Sequence, residues 1–206
     1  MEQQAEGTRP TVIFCGENPA VALHQPGTQR IVANASYWRC TYSEHGEGNV
    51  LVLWVEAGEA RVPDVVYADN APLARFVVGA MVQHFEGFRD RGIADLDPRP
   101  ARFTQDFGGR RFHRISCHAD GVNVEILWRD VRDHQPLRDD NMRGFGVKGD
   151  RVYEVSTVIC PCADGQIVID GSPVPGEVRF DATGERPKSS AFLAFCELWM
   201  DRGAST

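Results

Sequence analysis

The chain has 206 residues, 42% of them hydrophobic and 25% charged, which suits one domain (1–206) able to close a core and excludes wholesale disorder. Twenty-two Lys and Arg stand against 29 Asp and Glu, a net charge of −7. Phosphate recognition needs a concentrated basic field, so neither nucleic acid nor an anionic membrane is an expected partner.

The first ten residues are polar and are expected to be loose, as are 202–206. Residues 1–6 show no secretory pattern, and no apolar run approaches the roughly 20 residues of a membrane span, so a cytoplasmic location is expected. From there apolar runs alternate with turn signals about every ten residues, the spacing of a sandwich or barrel. Ile31 to Tyr42 reads as a long strand. Val50 to Val55 is apolar on both faces, which predicts a central strand covered on both sides. Arg61 to Ala68 pairs with it, Pro63 marking an edge or a bulge.

One amphipathic helix is predicted over about residues 71–88. Asn70 suits its N-cap and Pro72 its first turn, and Leu73, Phe76, Val77, Ala80, Met81, His84, Phe85 and Phe88 form one apolar stripe. A meander follows: Ala101 to Phe107, a Gly108-Gly109 turn, Arg111 to His118, an Asp120-Gly121 turn, and Val122 to Arg129. Arg129 to Asp150 is polar and reads as a long loop. Strands resume at Val152 to Ile159, Gln166 to Asp170 and Val174 to Phe180, and Ala191 to Trp199 closes the chain, as a strand in preference to a helix. The expectation is nine to eleven mostly antiparallel strands around one helix, closed into a β-barrel so that no long edge is exposed.

Six scattered cysteines read as buried thiols. Cys160-Pro161-Cys162 has one residue between the pair, where zinc ligands leave two to four, so no metal site is expected. Dinucleotide, phosphate-loop, His-Glu-x-x-His and Gly-x-Ser-x-Gly motifs are absent, and no cofactor is implied.

What stands out is ionisable residues where apolar ones belong. His84 lies within the helical stripe, as a core histidine or as an acid or base facing a cavity. Glu197 lies within Phe195-Cys196-Glu197-Leu198-Trp199, sharing a strand face with Leu193, Phe195 and Trp199; there a carboxylate must find a partner, meet water or hold a raised pKa. His113 shares a face with Ile115 and Cys117, and Glu125 projects from the less apolar face of its strand. These two form either a solvated surface or a polar cluster inside a barrel, since a one-residue slip swaps the faces. Tyr37, Trp38, Trp54, Trp128, Tyr153 and Trp199 would line an apolar pocket if the barrel is hollow.

The run Gly165-Gln166-Ile167-Val168-Ile169-Asp170-Gly171-Ser172-Pro173-Val174-Pro175-Gly176-Glu177-Val178-Arg179-Phe180-Asp181 resembles the hairpin of lipocalin-like domains of the carotenoid-hydratase type. The family's Asp-Arg pair is missing, because Ala182 follows Asp181, so no catalytic residue carries over. The resemblance implies a mainly β, antiparallel lipocalin-like barrel with an apolar cavity. Two functions fit. One is a cofactor-independent lyase, hydratase, isomerase or cyclase with His84, Glu197, His113 or Glu125 moving protons. The other is a non-catalytic protein that binds an apolar small-molecule ligand. A third reading spends the surplus aromatics on an interface, as in a homodimer.

Overall fold

The computed structural model describes residues 11–56 and 62–204; residues 1–10, one of the two segments expected to be loose, lie outside them. In chain order the strands are β1 (Thr11–Glu17), β2 (Ala20–His24), β3 (Ile31–Tyr42), β4 (Gly48–Val55) and β5 (Val62–Ala68), followed by the helix α1 (Ala71–Ala80). Then come β6 (Arg99–Phe107), β7 (Phe112–Ala119), β8 (Val122–Val131), β9 (Gln135–Phe145), β10 (Arg151–Ile169), β11 (Ser172–Pro173), β12 (Phe180–Asp181), β13 (Lys188–Ser189) and β14 (Ala191–Ala204).

Among the described residues the sheet runs β2-β3-β4-β5-β6-β7-β8-β10-β14 and closes on itself, because β14 also pairs with β2. β1 bridges β14 and β3, and β9 hangs on β10. The pairings are antiparallel except β5 with β6, at Tyr67–Arg99 and Ala68–Pro100. There α1 intervenes as a crossover, which parallel neighbours require. Among the described residues the molecule is mainly β, a barrel-like ring with a single α-helix, as its alternating apolar runs predict.

Two buried clusters lie on the two faces of this wall. One draws Val21, Ala35, Tyr37, Leu51, Leu53, Tyr67, Ile115, Ile126, Trp128, Ile167 and Leu193 from strands all round the ring, so it fills the interior. The other packs α1 and the chain after it against the outer face, through Phe14, Trp38, Val52, Trp54, Phe145, Tyr153, Val155 and Trp199. β4 serves both, with Leu51 and Leu53 inward and Val50, Val52 and Trp54 outward. Its predicted burial on both sides is what the structure shows.

The helix starts as read: the Asn70 side chain accepts a hydrogen bond from the Leu73 N–H at 3.1 Å. It ends at Ala80, eight residues before the predicted limit. Met81 leaves helical dihedrals (φ −127°, ψ −67°), and a 3-10 turn over Val82–His84 follows. Met81, Val82 and Phe88 still reach the core, so the apolar spacing continues beyond the helix that it resembles. Around Pro63 the β4–β5 register shifts, the expected bulge.

Further expectations are corrected. Val174 to Phe180, read as a strand, is not one: it holds an isolated bridge at Glu177 and the first residue of β12. The polar stretch 129–150 is largely strand: β9 pairs with β10 from Gln135 to Phe145 while most of its side chains face solvent. Backbone pairing with β10 holds it, so hydrophobic periodicity is absent. The tail is ordered to Ala204 in β14, where Arg202 pairs with the buried Glu154; residues 205–206 lie outside the described residues.

Candidate functional site

The ring's interior rows end at one mouth, and His113 occupies the last inward position of β7. Strand register places it opposite Phe107 on β6 and Trp128 on β8. Its ring centroid lies 4.1 Å from Phe107, 5.4 Å from Trp128 and 6.3 Å from Phe195. The side chain is 1% exposed, and among the described residues neither ring nitrogen has a hydrogen-bond partner. Burial pushes its pKa down to about 4, outweighing the opposing pull of the Asp106 carboxylate, so the imidazole is neutral at pH 7.

This ring borders an open cleft of about 360 Å³. Phe107, Val131, Leu193 and Phe195 form apolar walls, and Cys160 adds a thiol whose pKa burial raises. Arg110, Arg132, Asp133 and His134 form the rim. The rim cations are matched within the chain, Arg110 by Asp133 and Arg132 by Asp130 at 2.6 Å, so the mouth presents no net cationic charge to a ligand.

The other candidates fall elsewhere. Glu125 sits opposite Ser116 on the outward face of β8, because His113 aligns with Trp128 and the inward set is Val124, Ile126 and Trp128. The polar cluster of His113 with Glu125 is therefore not formed. His84 lies in the 3-10 turn, half-buried, and its Nε2 is 2.8 Å from the Gly146 carbonyl. It ties the end of β9 to α1 rather than facing a cavity.

Glu197 is buried, but on the outer face. Cys196 takes a left-handed conformation (φ 53°) and the β10–β14 register shifts beside it, between Ser156–Leu198 and Val158–Phe195. One extra residue reverses the alternation. Leu193 and Phe195 therefore face the interior while Glu197 and Trp199 face the helix side, correcting the single shared face expected from sequence. The carboxyl accepts a 2.7 Å hydrogen bond from Trp199 Nε1. Burial raises its pKa to about 7, against the opposing hydrogen bonds of Trp199, Thr157 and Asn18.

The six expected pocket aromatics are likewise divided. Tyr37 and Trp128 are inside, Trp128 donating to the Ala20 carbonyl at 2.9 Å. Trp38, Trp54, Tyr153 and Trp199 are outside, under the helix. They do not line one cavity, and the interior that they were expected to surround is filled by aliphatic side chains together with Tyr37, Tyr67 and Trp128. The sequence reading missed the rim residues Arg110, Arg132 and His134, whose pattern is that of ordinary turns. It also missed Asn34 and Ser36, whose signal was present: two polar residues alternating with Trp38 on one face of an apolar strand.

Among the described residues no group of three or more His, Cys, Asp or Glu is placed to hold a metal ion. No described helix is long and apolar enough to cross a membrane. Comparison with known proteins finds no matching family model, no matching curated protein and no matching solved structure.

Proposed function

We propose that the chain binds a small, mostly apolar, uncharged molecule at the mouth of the ring, with His113 fixing its orientation. One observation carries this reading: an almost wholly buried imidazole with both nitrogens unpartnered, beside an apolar cleft. Native structures pair the great majority of buried polar groups, and an unmade hydrogen bond costs about 1–3 kcal/mol. A ligand hydroxyl or carbonyl would supply the missing partner. The volume lies near the lower end of the usual range for small-molecule sites, about 300–1,000 Å³, and the matched rim charges favour a neutral ligand. A lipocalin-like binding protein fits this arrangement.

The alternative, a cofactor-independent lyase or isomerase, is favoured by Glu197, which titrates near neutrality. It is the weaker reading because Glu197 and His113 lie on opposite faces of the ring wall, where one small substrate does not meet both.

The test is thermal shift with matched pairs, an aromatic alcohol or ketone against its hydrocarbon counterpart. A ligand that binds only the folded state raises the melting temperature. The oxygenated member should stabilise the wild type more, and His113→Phe should erase that difference. Equal responses from the two proteins would overturn the reading.

A further inference from the structure

A second hollow lies on the other side of the wall, where the chain after α1 crosses the outer face of β2 and β3. Its volume is about 230 Å³. The depth comes from two small side chains, Ala20 and Ala22, which register places beside Ser36 and Asn34. Phe85, Phe88 and Phe192 supply flat apolar walls.

The polar groups on its floor are not equivalent. Ser36 is committed, accepting from Trp38 Nε1 at 2.9 Å and donating to Asn18 Oδ1 at 3.1 Å. Ser190 is committed as well, donating to the Ala22 carbonyl at 2.7 Å and accepting from the Arg179 N–H at 3.0 Å. Asn34 is 6% exposed and lines the hollow, its amide making none of the hydrogen bonds that hold the two serines. It stands between Ala22 and Trp54 in the sheet register. Above it runs Gly87, where any Cβ would lie 2.0 Å from the Asn34 amide nitrogen, and Trp54 Nε1 donates to the Gly87 carbonyl at 2.9 Å. The covering segment is thus held directly against this amide.

We infer that this cleft is a second ligand site, taking a small planar molecule with an N–H beside a C=O, a lactam or aromatic amide, paired edge to edge with Asn34. A primary amide has donors and an acceptor side by side, so a ligand with both in one plane satisfies it completely. The phenyl walls suit a flat ring. Glu86, the charged residue of the lining, disfavours a carboxylate. The inference is independent of the mouth site.

The experiment is a titration of the ¹⁵N-labelled full chain with 2-pyridone, benzamide and benzoate, following the tryptophan indole signals. Trp54, bonded to Gly87, reports the cleft, whereas Trp128, beside His113, reports the mouth. The lactam and the amide should shift the Trp54 signal saturably at millimolar concentration, and benzoate should not. Asn34→Leu should weaken binding by about tenfold or more, through loss of the bidentate contact. Ala22→Leu should do the same by filling the space while leaving every polar group in place. Shifts at Trp128 instead, equal binding of benzoate, undiminished binding by either folded variant, or no binding of any probe would each overturn the inference.

Discussion

The indole Nε1–H of Trp199 donates a 2.7 Å hydrogen bond to Oε1 of Glu197, two residues earlier on the same strand. Both side chains point at the helix-covered face because the irregularity at Cys196 precedes them. The bond satisfies one carboxyl oxygen in a place where water does not. It does not compensate for the loss of hydration, and the acid stays protonated to about pH 7.

Stability should therefore carry the signature of a raised carboxylate pKa. The folded chain holds this proton from about pH 4.5 to 7 while the unfolded chain releases it, so the contribution is full below 4.5 and is lost as pH rises through 7. Glu197→Gln keeps an acceptor for Trp199 and removes the titration. Denaturant unfolding should show it more stable than wild type at pH 8, by up to about 3 kcal/mol, with the advantage shrinking toward pH 5. A pH-independent difference would show that the buried carboxyl does not titrate in this window.

His113 should give the opposite slope. Its pKa falls from about 6.5 unfolded to about 4 folded, so the unfolded chain binds the extra proton and stability declines as pH drops from 6.5 to 4. The size is about 3 kcal/mol. His113→Leu removes that slope and an unpartnered buried polar group. At pH 7 it should gain about 1 kcal/mol of stability while losing the preference for oxygenated ligands. A variant that is less stable at pH 7 would mean that the imidazole has a partner in the folded protein.

Cys196 should tolerate glycine and not deletion. A non-glycine residue at φ 53° is strained, and Cys196→Gly should raise stability by about 0.5–1 kcal/mol after the entropy cost of glycine. Deleting the residue would restore simple alternation and turn Glu197 and Trp199 inward. Circular dichroism and melting should then show a chain that does not fold.

Asn70 caps α1 and also donates through Nδ2 to the carbonyls of His45 and Glu47, at 3.0 and 2.9 Å. Asn70→Ala should cost about 2 kcal/mol and Asn70→Asp about half of that, since aspartate keeps the cap acceptor and loses both donors. Equal losses in the two variants would place the whole effect in the loop contacts.

Much of the fold was legible because burial imposes a period. Val50 to Val55, covered on both sides, and Val124, Ile126 and Trp128, alternating toward the interior, show their environment in their spacing. β9 was hidden because an exposed edge strand is held by its backbone, and Asp139, Asp140 and Asn141 look the same in a loop. The helix was overextended because Phe85 and Phe88 keep helical spacing while burying themselves from an irregular segment. At the site, His113 was legible as an odd residue on an apolar face, but its separation from Glu125 depended on register. The placement of Glu197 depended on one left-handed residue, and cysteine at 196 gives no hint of that.

The chain's two longest strands change allegiance part-way along. β14 lends Leu193 to the inner cluster and Trp199 to the outer; β10 does the same with Ile167 and Val155. Neither half of the molecule can loosen without withdrawing staves from the other, so heating should produce one melting step shared by every probe, with no stage at which the helix lifts away from an intact shell.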